Sequence, residues 1–144
     1  MTLKRAGVVP TVVNVFDAPA LIAAVGVAQP AVVIHQLTDL PRELDGARIA
    51  ASAAGNARIR SEGTRNLIAA AQAAGADRFI VQSISFAYAP GGEPHPETDP
   101  LNFADPARAV TVKGVADMEH QVLAASGIEG IVLRYGLLLS LIHI

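Results

Sequence analysis

Hydrogen-bonding side chains crowd the end of one apolar run. In RFIVQSISFAYAP, residues 78–90, Gln82, Ser83, Ser85 and Tyr88 come directly after Phe79, Ile80 and Val81. A strand that stays inside a core has no use for them. They mark either the point where the strand leaves the core or a place where an amide and hydroxyls meet a ligand. Three other apolar runs end the same way. TVVNV ends on Asn14 and Val15 with Asp17 just beyond, AVVIHQL ends on His35 and Gln36 with Thr38 just beyond, and GIVLRYG ends on Arg134 and Tyr135. One such end is explained by solvent alone. Four together favour an edge built to bind a ligand.

The elements that would hold these groups alternate. TVVNV, from Thr11, is short and β-branched and reads as a strand. Asp17 then stands as an N-cap with Pro19 in the first turn, and ALIAAV reads as a short helix stopped by Gly26. AVVIHQL, 31–37, is a near-continuous apolar run, the pattern of a parallel strand covered on both faces. Residues 41–55 are ambiguous, a loop running into a helix start. From Asn56 to Ala74 the period is helical, with Gly75 as the stop. RFIVQSI is the next strand. A Pro- and Gly-rich segment follows, and its length within a compact domain suits a binding loop on the substrate side. Asp105 and Pro106 open another helix with Val112, Val115, Val122 and Leu123 as its apolar stripe, closed by Gly127. GIVLRYG, 130–136, is the last strand. Strands alternating with helices mean parallel βαβ units and an α/β fold, a doubly wound Rossmann-like layer. In such a layer all four polar ends fall along one rim, where ligands bind.

Composition narrows the partners. A chain of 144 residues defaults to one domain, and 51% hydrophobic content with 4% aromatics predicts a core of Ala, Val, Leu and Ile. The net charge of -2 and the absence of a basic stripe argue against nucleic acid. With no cysteine there are no disulfides or thiolate metal sites, and no His/Asp/Glu spacing suggests a metal. The N-terminus lacks a signal pattern, and no run approaches the ~18–20 apolar residues of a membrane helix. The expectation is a soluble, cytoplasmic chain.

Four stretches, NVFD (14–17), AVVIHQLTDLP (31–41), EGTRNLIAAAQAAGADRFIVQS (62–83) and GIVLRYG (130–136), stand in an order and spacing that resemble the extended or atypical short-chain dehydrogenase/reductase superfamily, in its NAD-dependent epimerase/dehydratase branch. The GT-x-NL-x-x-AA helix leading to a strand that ends in serine is the most specific piece. The resemblance implies a Rossmann-type domain for NAD or NADP over residues 1–136, with 137–144 as an apolar tail, native or not. It places Asn14, where the family usually has Asp, and Val15 near the adenine. His35, Gln36, Leu37 and Thr38 line the cofactor's middle, and Tyr135 and Gly136 lie near the nicotinamide. Ser83, in preference to Ser85, matches the serine that hydrogen-bonds a substrate and also borders the cofactor.

Two departures limit that expectation. No G-x-G-x-x-G cradle is present, and the chain opens on LKRAG, which reads as the end of a helix. Two or three charge-assisted hydrogen bonds of roughly 1.5–3 kcal/mol each would be lost with the cradle, on the order of a hundredfold to a millionfold in affinity. A truncated piece, inactive alone, is the expectation. The family's Tyr-x-x-x-Lys pair is also broken, because Lys113 is preceded four positions earlier by Ala109. Losing a general acid typically costs about 10²–10⁴ in rate. Lys113 is then either catalytic or a surface lysine pairing with Asp117. Tyr88 either replaces the phenol or anchors the loop. Glu119 and His120 are polar contacts or, more simply, exposed helix residues, and His95 has no visible partner.

The complete protein is therefore expected to be an NAD(P)-dependent epimerase/dehydratase or reductase acting on a sugar-like or alcohol/carbonyl small molecule, with homodimerisation open. A non-catalytic NAD(P)-binding sensor or scaffold is the alternative.

Overall fold

The structure, a computed structural model, describes residues 3–40, 46–92 and 94–136. Four helices and a three-stranded parallel sheet follow in the order α1 (Ala18–Ala28), β1 (Val32–His35), α2 (Gly46–Arg58), α3 (Thr64–Ala73), β2 (Arg78–Ile84), α4 (Ala109–Leu123) and β3 (Glu129–Tyr135). The strands stand in the order β1-β2-β3. His35 pairs with Val81, and Ser83 pairs with Arg134. The parallel α/β, Rossmann-like expectation therefore holds. The tail 137–144 lies outside the described residues, as do 41–45.

Local chemistry explains the boundaries. The Asp17 carboxylate accepts from the Ala20 N–H at 3.1 Å, and Pro19 occupies the first turn of α1. The helix runs past Gly26 to Ala28. Gln29, at φ 43°, makes the left-handed cap in place of the expected glycine, with Pro30 next in the chain. Helical structure begins at Gly46, ten residues before the pattern at Asn56 becomes clear. Between α2 and α3 the chain makes one π turn, Ile59–Gly63. Gly75, at φ 74°, ends that layer as expected. Asp105 caps the short 3₁₀ turn Pro106–Arg108 that leads into α4, accepting from Ala107 N–H at 3.0 Å.

The core lies between the sheet and the helices. Phe79 and Val81 of β2 pack with Ile68 and Ala71 of α3 and with Met118 and Val122 of α4. At about 25 cal/mol per Å², each such side chain contributes roughly 1.5–3 kcal/mol on burial. Met118 completes the α4 stripe, whereas Leu123 is exposed, because a period of 3.6 turns it to the outer face. Gly130 is required: a Cβ there would lie 2.0 Å from the Val122 carbonyl oxygen, so only glycine lets β3 approach α4. Two right-handed crossovers that step the same way along a sheet place their helices on one face. The described residues hold that half of the winding.

Two expectations are corrected. TVVNV forms no strand. Among the described residues no strand lies beside it to share a ladder, Val12 is fully exposed, and the Val15 carbonyl instead accepts from the Asn66 amide at 3.0 Å. Among the described residues the sheet has three strands, not four. The run 31–37 is extended over only Val32–His35 and is covered on one face, with Ile34 62% exposed on the other. Among the described residues no helix is long and apolar enough to cross a membrane, and no cluster could hold a metal ion.

Candidate functional site

The carboxyl ends of the strands form one rim with two concavities. The first, about 390 Å³, lies beyond β1 and β2. The second is an open groove of about 1470 Å³ along β3 and the 85–108 loop. The first falls within the ~300–1,000 Å³ usual for small-molecule pockets.

His35 anchors the smaller cavity. It is 3% exposed, its Nδ1 accepts from the Leu37 N–H at 3.2 Å, and its Nε2 lies 3.1 Å from Thr64 Oγ1. With Nδ1 used as an acceptor, the ring proton sits on Nε2 and is donated to the threonine. Burial lowers the His35 pKa to about 4, and the nearby Arg60 charge acts in the same direction. The imidazole is a neutral pin that shapes the turn 36–38 from behind. Thr38 donates to Asn56 Oδ1 at 2.9 Å, and the Asp39 N–H donates to the same oxygen at 2.9 Å. Gln36, Leu37 and Thr38 thereby line the cavity on a fixed backbone, facing Arg60, Gln82 and Thr111.

The groove side is ionic. Ser83, 1% exposed, donates to Glu119 Oε1 at 2.5 Å, and Arg134 donates to both Glu119 oxygens, at 3.0 and 2.6 Å. Glu119 is buried, not exposed as its helical position suggested, because Arg134 and Ser83 neutralise and solvate it there. Arg134 has its pKa raised by the Glu119 hydrogen bonds first and by Tyr88 second. Its guanidinium also lies 4.7 Å from the centre of the Tyr88 ring, whose other neighbour is the stacked His95 ring at 5.0 Å. His95 has a partner after all: Asp99 Oδ2, 2.7 Å from Nδ1. No spacing rule pointed to that pair, because it depends on how the proline-rich loop folds back through the Tyr88–Leu101 bridge.

The expected site residues divide into groups. His35, Gln36, Leu37 and Thr38 meet in the small cavity. Tyr88 and Tyr135 line the groove, and Gly136 lies beside Ser85, so that a Cβ on the glycine would stand 3.7 Å from the serine hydroxyl. Ser83 sits behind the groove within its ionic network. Asn14 is exposed and caps a turn, accepting from Phe16 N–H at 3.0 Å, while Val15 rests on Gly63 at the π turn. Lys113 stands apart, 71% exposed and paired with Asp117 at 2.7 Å. Arg60 and Asn56 were not singled out by the sequence. Their signal is helical phase: each falls on the face of the α2 region that meets the 36–38 turn.

The small cavity offers amides, hydroxyls and a cation over an apolar floor that includes Met118. The pyrophosphate cradle is not among these residues, since none of the twelve glycines falls in a G-x-G-x-x-G.

Comparison with known proteins matches residues 3–140 to a family described as NAD(P)H-binding. A curated relative, the 3-diazoavenalumate denitrifying reductase of a Streptomyces species, is 47% identical over 130 residues, which cover 88% of this chain and 42% of the relative. The chain thus spans less than half the length of that relative.

Proposed function

The chain belongs to the NAD(P)H-binding family, whose cofactor is NAD or NADP, and from that premise we propose that it is part of an NAD(P)H-dependent reductase of a small molecule. The observation that carries the reading is the small cavity at the carboxyl ends of β1 and β2, in a chain 47% identical to a reductase.

When bound, the nicotinamide supplies a hydride. This chain's own residues hold and shape. His35 holds the Leu37 N–H, the Asn56 side chain clamps Thr38 and Asp39, and Met118 gives the cavity an apolar floor. Among the described residues the family's acid–base pair is broken, since Ala109 carries no acid and Lys113 is engaged with Asp117 at the surface. That pattern favours a substrate whose reduction needs no proton from the protein. A diazo compound of the kind named for the relative fits in its aryldiazonium form, Ar–N2+: hydride supplied by a bound cofactor would replace dinitrogen at the ring carbon, the carbon–nitrogen pair would leave with N2, and the product Ar–H would need no proton. An epimerase or dehydratase acting on a sugar must move protons on and off oxygen, which this site serves less well. A sensor that binds NAD(P) without turnover is the second reading, favoured by the engagement of Ser83 with Glu119.

The test compares this chain with one extended to the length of the relative, following NAD(P)H consumption with a diazo arylcarboxylate, a sugar nucleotide and a ketone. Consumption with the diazo compound is expected. Cofactor binding without consumption across the panel selects the sensor, and absence of binding in the extended chain ends both readings.

A further inference from the structure

Arg60 is a half-buried charge without a carboxylate partner among the described residues. It lies in the π turn between α2 and α3 and lines the 390 Å³ cavity. Among the described residues no carboxylate pairs with it, and the lining of the cavity contains no Asp or Glu. Its neighbour His35 is held neutral, so it adds no positive charge of its own. Burial lowers the Arg60 pKa with no opposing acidic partner. A half-buried guanidinium without a counter-charge destabilises a fold, because the ion loses hydration and gains nothing in exchange. Arg58, two residues earlier, shows the ordinary solution: it is paired with Glu62 at 2.8 Å on the surface. π turns often occur where a side chain is re-aimed for function, and here the turn sets Arg60 toward the rim while Arg58 faces out.

We propose that Arg60 is the anion anchor of the small cavity, binding a carboxylate or phosphate group of a ligand whose remaining part is apolar. The guanidinium fork presents paired donors to such a group. Thr38 and Gln82 line the same cavity with further polar atoms, and Leu37, Ile84 and Met118 supply apolar lining for an apolar or aromatic body. This deepens the reductase reading by giving the ligand a charge, and rests on that reading only in taking the cavity as the ligand site. The anion has two sources, a substrate carboxylate or a nucleotide phosphate.

The experiment is thermal unfolding of the chain with cinnamate, an arylcarboxylate, and separately with nicotinamide mononucleotide. The midpoint is expected to rise with ligand concentration, as mass action requires for a ligand of the folded state. In Arg60→Met the midpoint without ligand is expected to rise by a few degrees, because an unpaired charge is gone, while affinity falls about 10–100-fold. Arg60→Lys keeps the charge without the fork and is expected to bind with intermediate affinity. A response to cinnamate assigns the anion to the substrate, and a response to the mononucleotide alone assigns it to the cofactor. If neither ligand shifts the wild type, or if the shift survives in Arg60→Met, the proposal is overturned. The measurement needs no turnover, so an anion response without reductase activity removes only the functional reading. Activity in the extended chain without an anion response removes only this one.

Discussion

On the β3 side of the rim Glu119 meets Arg134 at 2.6 Å and Ser83 at 2.5 Å, and His95 meets Asp99 at 2.7 Å. On the β1 side Arg60 faces a cavity without a carboxylate, and His35 is neutral by burial. The two regions are neighbours on one sheet edge and treat charge oppositely. Where each charge is satisfied within the chain, polarity serves to hold elements together: Arg134 ties β3 to α4 and, through the Glu97 carbonyl at 3.0 Å, to the loop. Where a half-buried charge is left over, as at Arg60, the proposed partner is a ligand. The contrast separates polar residues that build the rim from those that use it.

Glu119→Ala should break the comparison most severely. It leaves Arg134 and Ser83 without their shared acceptor, and removal of one partner of a buried pair costs about 3–5 kcal/mol. Urea unfolding reads it, and a cost under about 1 kcal/mol would show that the network is ornamental.

His35 gives the next effect, on pH dependence. Its folded pKa, about 4, lies below the unfolded value near 6.5, so the unfolded chain binds more protons between these limits. The contribution is fully present above pH ~6.5 and is lost as pH falls through about 4, on the order of 3 kcal/mol in all. His35→Gln should flatten that slope in a stability-versus-pH series. An unchanged slope would mean that the ring is already charged in the fold.

Ser83→Ala tests the border between the regions. As a member of the network it should cost about 1.5–3 kcal/mol in stability, the range for a hydrogen bond to a charged group. A variant of native stability whose NAD(P)H consumption is nonetheless reduced a hundredfold would move Ser83 from the building set to the ligand set.

Lys113→Ala should do least. An exposed pair one turn apart contributes no more than about 0.5 kcal/mol, and turnover by the extended protein should be unaffected. A large loss of rate would restore the catalytic lysine.

Much of the fold was legible because it rests on local chemistry. Asp17 and Asp105 announce helix starts whose cap bonds form within three residues, Gly75 and Gly127 adopt the positive φ of a stop, and the β-branched runs 32–35 and 78–84 become parallel strands. TVVNV misled because strand propensity describes a side chain's fit to a sheet, whereas a strand needs a neighbour for its backbone. Leu123 and Glu119 misled in opposite senses: the stripe does not say how wide the covered face is, and a carboxylate enters a core only when distant groups neutralise it.

The sequence by itself determined the alternation of helices with the three strands, their parallel direction and the polar ends of β1, β2 and β3 at one rim, since caps, stops and apolar runs act over a few residues; it wrongly added the Asn14 end, which no strand carries to that rim. Tertiary structure alone decided which polar groups are spent on one another. Ser83, Glu119 and Arg134 come from three separate elements, and Arg60 is left over among the described residues because no carboxylate of theirs reaches its cavity. Electrostatic satisfaction depends on distances between segments far apart in the chain, and no local pattern encodes those.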